Sequence, residues 1–245
     1  MRARTVIAIA VLLVAGLLVY RSTRPDPAPR TQYDVYLDVS KTSFPRLMGS
    51  TRGAVEDLAR QAAAERAVLT LHVIDAASTS QAPTAAGERL PELPGTVDFN
   101  AAPEGLQSGE QTAWRTLQVQ NILTGYMKWA TKVHKADGTD ILGAMANAVD
   151  VPIVAGHSPV GVFVTDGINH TDVWTWPQRS KTPAECKSLA MSKATAVPDL
   201  TGLKVQFLRT GHDDIDSAGN ASLKACWKAI LDARGAHLDD GWWTN

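Results

Sequence analysis

The pattern of apolar residues along residues 32–235 most constrains what this chain can fold into. Short apolar runs typical of buried strands alternate with longer segments in which apolar residues recur at helical spacing. The strand-like runs are residues 33–39, 68–74, 160–165 and 203–208, with a short edge strand near 96–99. The helix-like segments are residues 49–66, 112–134, 139–149, 183–193 and 221–234. This alternation predicts a Rossmann-like α/β domain with a doubly wound, mostly parallel sheet flanked by helices.

The N-terminus of the chain has a different character. Residues 6–19 are all apolar or glycine, and Arg4 and Arg21 bracket them. A helix between these arginines would be about 24 Å long, and arginine side chains that reach the interface would let it span a bilayer. We therefore predict a transmembrane anchor over residues 1–21 and a stiff, proline-rich linker over residues 22–31. A cleaved signal peptide, which would release a secreted domain, is the alternative.

The formal net charge of −1 conceals an uneven charge distribution. Residues 1–30 contain five arginines and one aspartate, so the rest of the chain is acidic. An acidic domain repels a phosphate backbone, and we expect no nucleic-acid partner. We expect residues 32–235 to form one domain, followed by a C-terminal tail over residues 236–245.

Oxygen-bearing side chains lie where the predicted strands end. Asp38, Ser40 and Thr42 follow the first strand, Thr139 opens a helix, and Asp166 follows the strand at 160–165. Ligands of such sheets bind at the carboxyl ends of the strands. If the first segment stays extended, its three side chains point the same way, and Thr139 is the expected N-cap of its helix. A set of ligands made only of oxygen atoms selects Mg²⁺, Mn²⁺ or Ca²⁺. The alternative to a metal site is that the two aspartates only cap helices or turns.

The three segments that carry these residues together resemble the von Willebrand factor type A domain over about residues 32–235. They are Asp38-x-Ser40-x-Thr42, residues 138–140 and residues 164–167. In that family three such loops form a metal-ion-dependent adhesion site. The resemblance implies that Asp38, Ser40, Thr42, Thr139 and Asp166 surround Mg²⁺ (or Mn²⁺ or Ca²⁺), with direct hydroxyl ligands and aspartates that often act through water. The family usually has serine at the position of Thr42, which keeps the hydroxyl, and frequently glycine at that of Lys41.

The resemblance implies a binding protein and not an enzyme. An open position on the metal would accept an acidic side chain of a partner protein, as in cell adhesion. We expect a single-pass membrane protein whose domain is extracytoplasmic. His170, Trp174 and Trp176 follow Asp166 and are candidate partner contacts, although both tryptophans could instead pack on the sheet. A Mg²⁺-dependent hydrolase or nuclease that uses the strand-end aspartates, and a metal-free scaffold in an envelope complex, remain alternatives.

The chain has two cysteines, Cys186 and Cys226, in the two predicted helices that flank the last strand. In an exported domain they could form a disulfide, which is the interpretation we favour. Two buried free thiols are the alternative.

Overall fold

The computed structural model describes residues 30–75, 93–133, 136–170, 175–176, 182–192, 199–209 and 217–239. The predicted anchor, nearly all of the predicted linker and the end of the predicted tail lie outside these residues. Among the described residues, no helix is both long and apolar enough to cross a membrane. The prediction of a transmembrane helix over residues 1–21 therefore stays a prediction.

Among the described residues, six strands form the main sheet and two further strands form a separate antiparallel pair. In chain order the strands are β1 (Arg30–Asp38), β2 (Val68–Ile74), β3 (Val97–Asp98), β4 (His157–Thr165), β5 (Asn169–His170), β6 (Thr175–Trp176), β7 (Lys204–Arg209) and β8 (His237–Leu238). The main sheet has the order β3-β2-β1-β4-β7-β8, and only β3 runs antiparallel to its neighbour. The strands β5 and β6 pair with each other. The predicted mostly parallel sheet is thus confirmed for the described residues.

In the part of the chain that the structure describes, five α-helices cover the two faces of this sheet. They are α1 (Ser50–Glu65), α2 (Ser108–Ala130), α3 (Ile141–Asp150), α4 (Pro183–Ser192) and α5 (Ser217–Ala233). Successive residues of a strand point to opposite faces, so β1 contributes to two cores. Val35 and Leu37 pack in the core with Trp129 of α2, whereas Tyr36 packs in the core with Trp227 of α5. Burial on both faces explains why β1 is apolar at nearly every central position.

The helices form where the sequence predicts them, with shifted ends. The start of α5 lies at Ser217 and not at residue 221, and α2 likewise begins at Ser108 and not at residue 112. Its start is fixed by a capping box, in which the Glu110 carboxylate accepts a hydrogen bond of 2.8 Å from the backbone N–H of Gln107. Gln107 is not a usual N-cap residue, which is why the pattern did not indicate it.

A disulfide joins the helices α4 and α5. It links Cys186 and Cys226, whose Cα atoms are 5.4 Å apart. Both residues are buried at the base of the core that contains Trp227. The pairing favoured from the sequence is therefore present in the structure, and it ties α4 to the domain.

Candidate metal centre

The loops that carry the predicted ligands meet at the carboxyl edge of the parallel strands. β1 ends at Asp38 and β4 ends at Thr165, and these strands are adjacent, with Leu37 opposite Val164. Two isolated bridges hold the loops together. Ser40 pairs with Ala136, and the backbones of Thr139 and His170 exchange two hydrogen bonds of 2.7 Å. The fold thus brings together all three predicted segments.

Asp38 is the buried centre of this arrangement. Its Oδ1 accepts a hydrogen bond from the Ser40 backbone N–H at 2.8 Å. Its Oδ2 accepts hydrogen bonds from Ser43 Oγ at 2.9 Å and from Thr165 Oγ1 at 2.6 Å. Burial, together with the nearby charge of Asp166, raises the pKa of Asp38 to about 6 even though these donors favour the charged form. Because both of its oxygens already accept hydrogen bonds, Asp38 acts mainly by ordering the surrounding hydroxyls.

The hydroxyl of Thr42 faces Asp166, and the hydroxyl of Ser40 lies beside that of Thr42. Thr42 Oγ1 lies 3.3 Å from Ser40 Oγ and donates a hydrogen bond of 2.6 Å to Asp166 Oδ2. The other oxygen of Asp166 accepts from the Ile168 backbone N–H at 2.9 Å. Our premise of an extended segment is wrong beyond Ser40, because the N–H groups of Ser43 and Phe44 turn back to the Ser40 carbonyl. The turn, and not strand alternation, brings the two hydroxyls together.

This donor set fits a small hard cation. Mg²⁺ binds oxygen at about 2.0–2.1 Å in an octahedron, so neighbouring ligands lie about 3.0 Å apart. The separation of 3.3 Å between Ser40 Oγ and Thr42 Oγ1 is close to that value. Asp166, which is fully buried, would supply negative charge beside them. Among the described residues no group of three or more His, Cys, Asp or Glu side chains is placed to hold a metal. A metal at this edge would therefore depend on hydroxyl ligands as well as carboxylates.

Lys41 lies in the chain between the candidate ligands Ser40 and Thr42. The Lys41 side chain is exposed, and its ammonium group makes no hydrogen bond or ion pair with the described residues. Within the described part of the chain, no partner therefore holds the charge of Lys41 in place.

Thr139 is not the N-cap of its helix, and this prediction is wrong. The N-cap of α3 is Asp140, whose side chain accepts a hydrogen bond of 2.9 Å from the Gly143 backbone N–H. The backbone of Thr139 is paired with His170, so the helix begins one residue later than expected. Thr139 nevertheless lies buried between the loops, where the family resemblance puts a ligand.

Three polar residues of the site were missed by sequence reasoning. Ser43 and Thr165 donate to Asp38, and the Asn169 side chain accepts a hydrogen bond of 3.1 Å from the Leu142 N–H at the start of α3. Ser43 continues the run of hydroxyls after β1, and Thr165 precedes Asp166, so adjacency could have suggested both. Nothing in the sequence pointed to Asn169.

The candidate partner contacts are only partly described. His170 is exposed, and its backbone pairs with Thr139 beside the metal-site loops. The backbone of Trp176 lies in β6 opposite Asn169, but its side chain lies outside the described part of the structure. Trp174 also lies outside it. His170 is therefore the candidate whose position next to the centre is observed.

Comparisons with known proteins add only distant likenesses. No family model matches the chain, and no curated protein matches it. Among solved structures it is similar to an aerotolerance-related membrane protein from Bacteroides fragilis, with 16% identity, a TM-score of 0.40, and coverage of 86% of this chain and 92% of that one. It is also similar to BatB from Bacteroides thetaiotaomicron, with 15% identity, a TM-score of 0.38, and coverage of 85% and 89%. A likeness this weak assigns neither family nor function.

Proposed function

We propose that this chain is a membrane-anchored domain of the von Willebrand factor A type that binds a divalent cation, Mg²⁺ first, and uses it to engage a partner protein. The observation that carries the proposal is the cluster of Ser40, Thr42 and Asp166 around the ordered carboxylate of Asp38. The cluster lies at the carboxyl edge of the parallel strands, where ligands of such sheets bind. In this proposal Thr139 completes the set from the neighbouring loop.

The accessibility of the cluster supports a role in binding. Thr42 is exposed, whereas Ser40 and Asp166 beneath it are buried. A cation held by these three residues would be reached from the solvent side, past Thr42. Neutral hydroxyl ligands leave the metal much of its positive charge, which favours a carboxylate from outside. The group that completes the coordination would be an Asp or Glu side chain of the partner.

We infer a role in binding and not in catalysis. Ser40, Ser43, Thr42 and Thr165 all lie in hydrogen bonds with one another or with carboxylates that hold them in place. Metal-dependent hydrolases usually gather more carboxylates than the two found here. No specific observation favours phosphodiester hydrolysis, so we propose no second function.

The metal proposal is tested with Thr42→Val, which removes a ligand hydroxyl at an exposed position and keeps the shape of the side chain. The full chain in detergent is melted with Mg²⁺ and with chelator. At a hundredfold excess over Kd, Mg²⁺ should stabilise the wild type by about 2.7 kcal/mol, which for a domain of this size is roughly 5–11 °C. The variant should lose most of this shift, and Thr42→Ser should retain it.

A matched control is Thr131→Val, since Thr131 is an exposed threonine whose hydroxyl donates to the Lys128 carbonyl in α2. It should keep the full Mg²⁺ shift. Equal melting curves with Mg²⁺ and chelator for the wild type would reject the metal.

The partner is tested by capture from the membranes of the source cell. Capture should require Mg²⁺ and be lost in Thr42→Val, so capture that persists in chelator would count against a metal-bridged contact.

A further inference from the structure

A groove lined by arginines lies between α1 and α2. It has a volume of about 440 Å³. Arg60 and Arg66 line it from the α1 side and Arg115 from α2, and apolar residues such as Val119 form part of its wall. No Asp or Glu is among its lining residues. We call the three arginines with this cavity the arginine groove; its guanidinium donors are of the kind that bind negatively charged ligands.

The three arginine side chains differ in the hydrogen bonds and ion pairs that hold them in place. Arg115 is positioned, because its Nε donates to the Phe99 carbonyl at 3.2 Å. Arg60 pairs with Glu56 at 2.6 Å on the exposed surface of α1. The Arg66 guanidinium makes no hydrogen bond or ion pair with the described residues. Arg66 is also the one non-glycine residue among them with a positive φ, at 56°. That position at a helix end usually carries glycine, so a long cationic side chain there indicates a use for the side chain.

An exposed apolar loop lies at the same end of the domain. Residues 151–156 contain no polar side chain, and within them Ile153 is 58% exposed and Val154 is 38% exposed. The backbone of this apolar loop is anchored: the Val154 N–H donates to Gln32 Oε1 at 2.8 Å, and the Gly156 carbonyl accepts from the Arg30 N–H at 3.0 Å. The apolar side chains are therefore presented to solvent on a fixed backbone.

The strand register places both features at the amino edge of the parallel strands. Gln32 of β1 lies opposite Val68 of β2 on one side and Pro159 of β4 on the other. Arg66 comes directly before β2, and the apolar loop comes directly before β4. The chain enters this same edge from residues 1–29. The metal centre lies at the opposite, carboxyl edge.

We propose that this amino edge docks on the surface of an anionic lipid bilayer. The apolar loop would lie at the boundary between headgroups and acyl chains, and the arginine groove would bind lipid phosphates through guanidinium donors. The inference rests on the proposed membrane anchor in residues 6–19. The ten residues 20–29 can span at most about 35 Å, so an anchored domain stays within reach of the surface. Docking would present the metal centre away from the membrane, toward a partner.

The separation of the two features favours a lipid surface over an acidic peptide. The arginine groove lies on the face of the sheet that α1 and α2 cover, whereas the apolar loop follows α3 on the other face. A short peptide in the groove would leave the apolar loop exposed to water. A flat surface of mixed polar and apolar character can contact both at once.

The experiment uses the full chain in nanodiscs of phosphatidylcholine, with and without phosphatidylglycerol. Ile153→Cys is labelled with an environment-sensitive fluorophore; the introduced thiol is the sole reactive one, because Cys186 and Cys226 form a disulfide. With the anionic lipid we expect a blue shift and quenching by spin-labelled lipid. The matched control is Met48→Cys, which is 46% exposed on the loop after β1 at the carboxyl edge. Its fluorophore should report water in both nanodiscs.

The arginine groove is tested in the Ile153→Cys background with Arg66→Gly combined with Arg60→Gln. Glycine relieves the positive φ of Arg66, so the fold should be kept, which melting checks. Quenching that depends on phosphatidylglycerol should fall by at least half. A result equal with and without the anionic lipid, or unchanged in the double variant, would overturn lipid binding by the arginines. Release of the Ile153 fluorophore by added polyglutamate would reassign the arginine groove to acidic peptides.

Flotation of the wild-type chain with vesicles under alkaline wash tests the membrane anchor separately from the docking of the amino edge. Loss of flotation would overturn the anchor and the docking together. Retained flotation with an Ile153 fluorophore that reports water would overturn the docking alone. Neither result affects the metal site, which the Mg²⁺ melting shift tests.

Discussion

Thr165→Val should destabilise the domain, because the Thr165 hydroxyl donates a hydrogen bond to the buried carboxylate of Asp38. The substitution keeps a β-branched side chain of similar shape at a fully buried position at the end of β4. It removes the 2.6 Å hydrogen bond from the hydroxyl to Asp38 Oδ2 and the 3.1 Å hydrogen bond that the same hydroxyl accepts from the Gly167 N–H. A hydrogen bond to a charged group contributes about 1.5–3 kcal/mol and a neutral one about 0.5–1.5 kcal/mol. We therefore expect a loss of about 3 kcal/mol, or roughly 6–12 °C in Tm.

The assay is urea and thermal unfolding of the full chain in detergent, followed by circular dichroism near neutral pH in chelator. Thr165→Ser is the matched variant, because it keeps the hydroxyl and loses only a methyl group, worth about 1 kcal/mol. The difference between the two variants isolates the hydroxyl. If both variants lose the same free energy of unfolding, Thr165 supports the fold only by packing, and the role we assign to its hydroxyl is wrong.

Three further predictions concern the same region. In chelator, the stability that Asp38 contributes should be complete only below about pH 3.8 and should be lost as the pH rises from there through about 6, because its folded pKa lies above its unfolded value. Unfolding titrations of wild type and Asp38→Asn that run parallel across this range would contradict it. Cys226→Ser should lower the free energy of unfolding by about 4 kcal/mol, since the disulfide closes a separation of 40 residues, and a reductant should then have no further effect. Gly167→Ala should destabilise more than Gly202→Ala, because both have a positive φ but only Gly167 would bring a Cβ within 3.2 Å of Leu223; equal losses in urea unfolding would remove the steric argument.

The sequence predicted the elements of the fold better than the details of the site. The strands and helices carry strong apolar periodicity, which burial imposes on any chain with this architecture. The N-cap of α3 was misplaced by one residue, because the backbone of Thr139 pairs with that of His170, which is distant in the chain. The short strands β5, β6 and β8 were missed, although the equally short β3 was predicted near residues 96–99.

The separation of site residues along the chain explains which contacts could be predicted. That Asp38 and Asp166 lie at one edge follows from their places at the carboxyl ends of strands that run parallel. The sequence does not indicate which hydroxyl donates to which carboxylate, because the Thr42–Asp166 and Thr165–Asp38 hydrogen bonds join residues 124 and 127 positions apart. Strand register and the turn after Ser40 decide those pairs. The local spacing of residues in the sequence predicts neither the register nor the turn.

The sequence by itself determined that this chain forms an α/β sheet with oxygen donors at its carboxyl edge, because hydrophobic burial and strand direction suffice to fix both. Only the tertiary structure decided that Asp38 orders the hydroxyls and that Thr42 and Asp166 face each other. It also gathered arginines from two helices into one groove and placed an apolar loop at the same edge. These features depend on how helices pack across distant parts of the chain, and packing is settled only when the whole core is assembled.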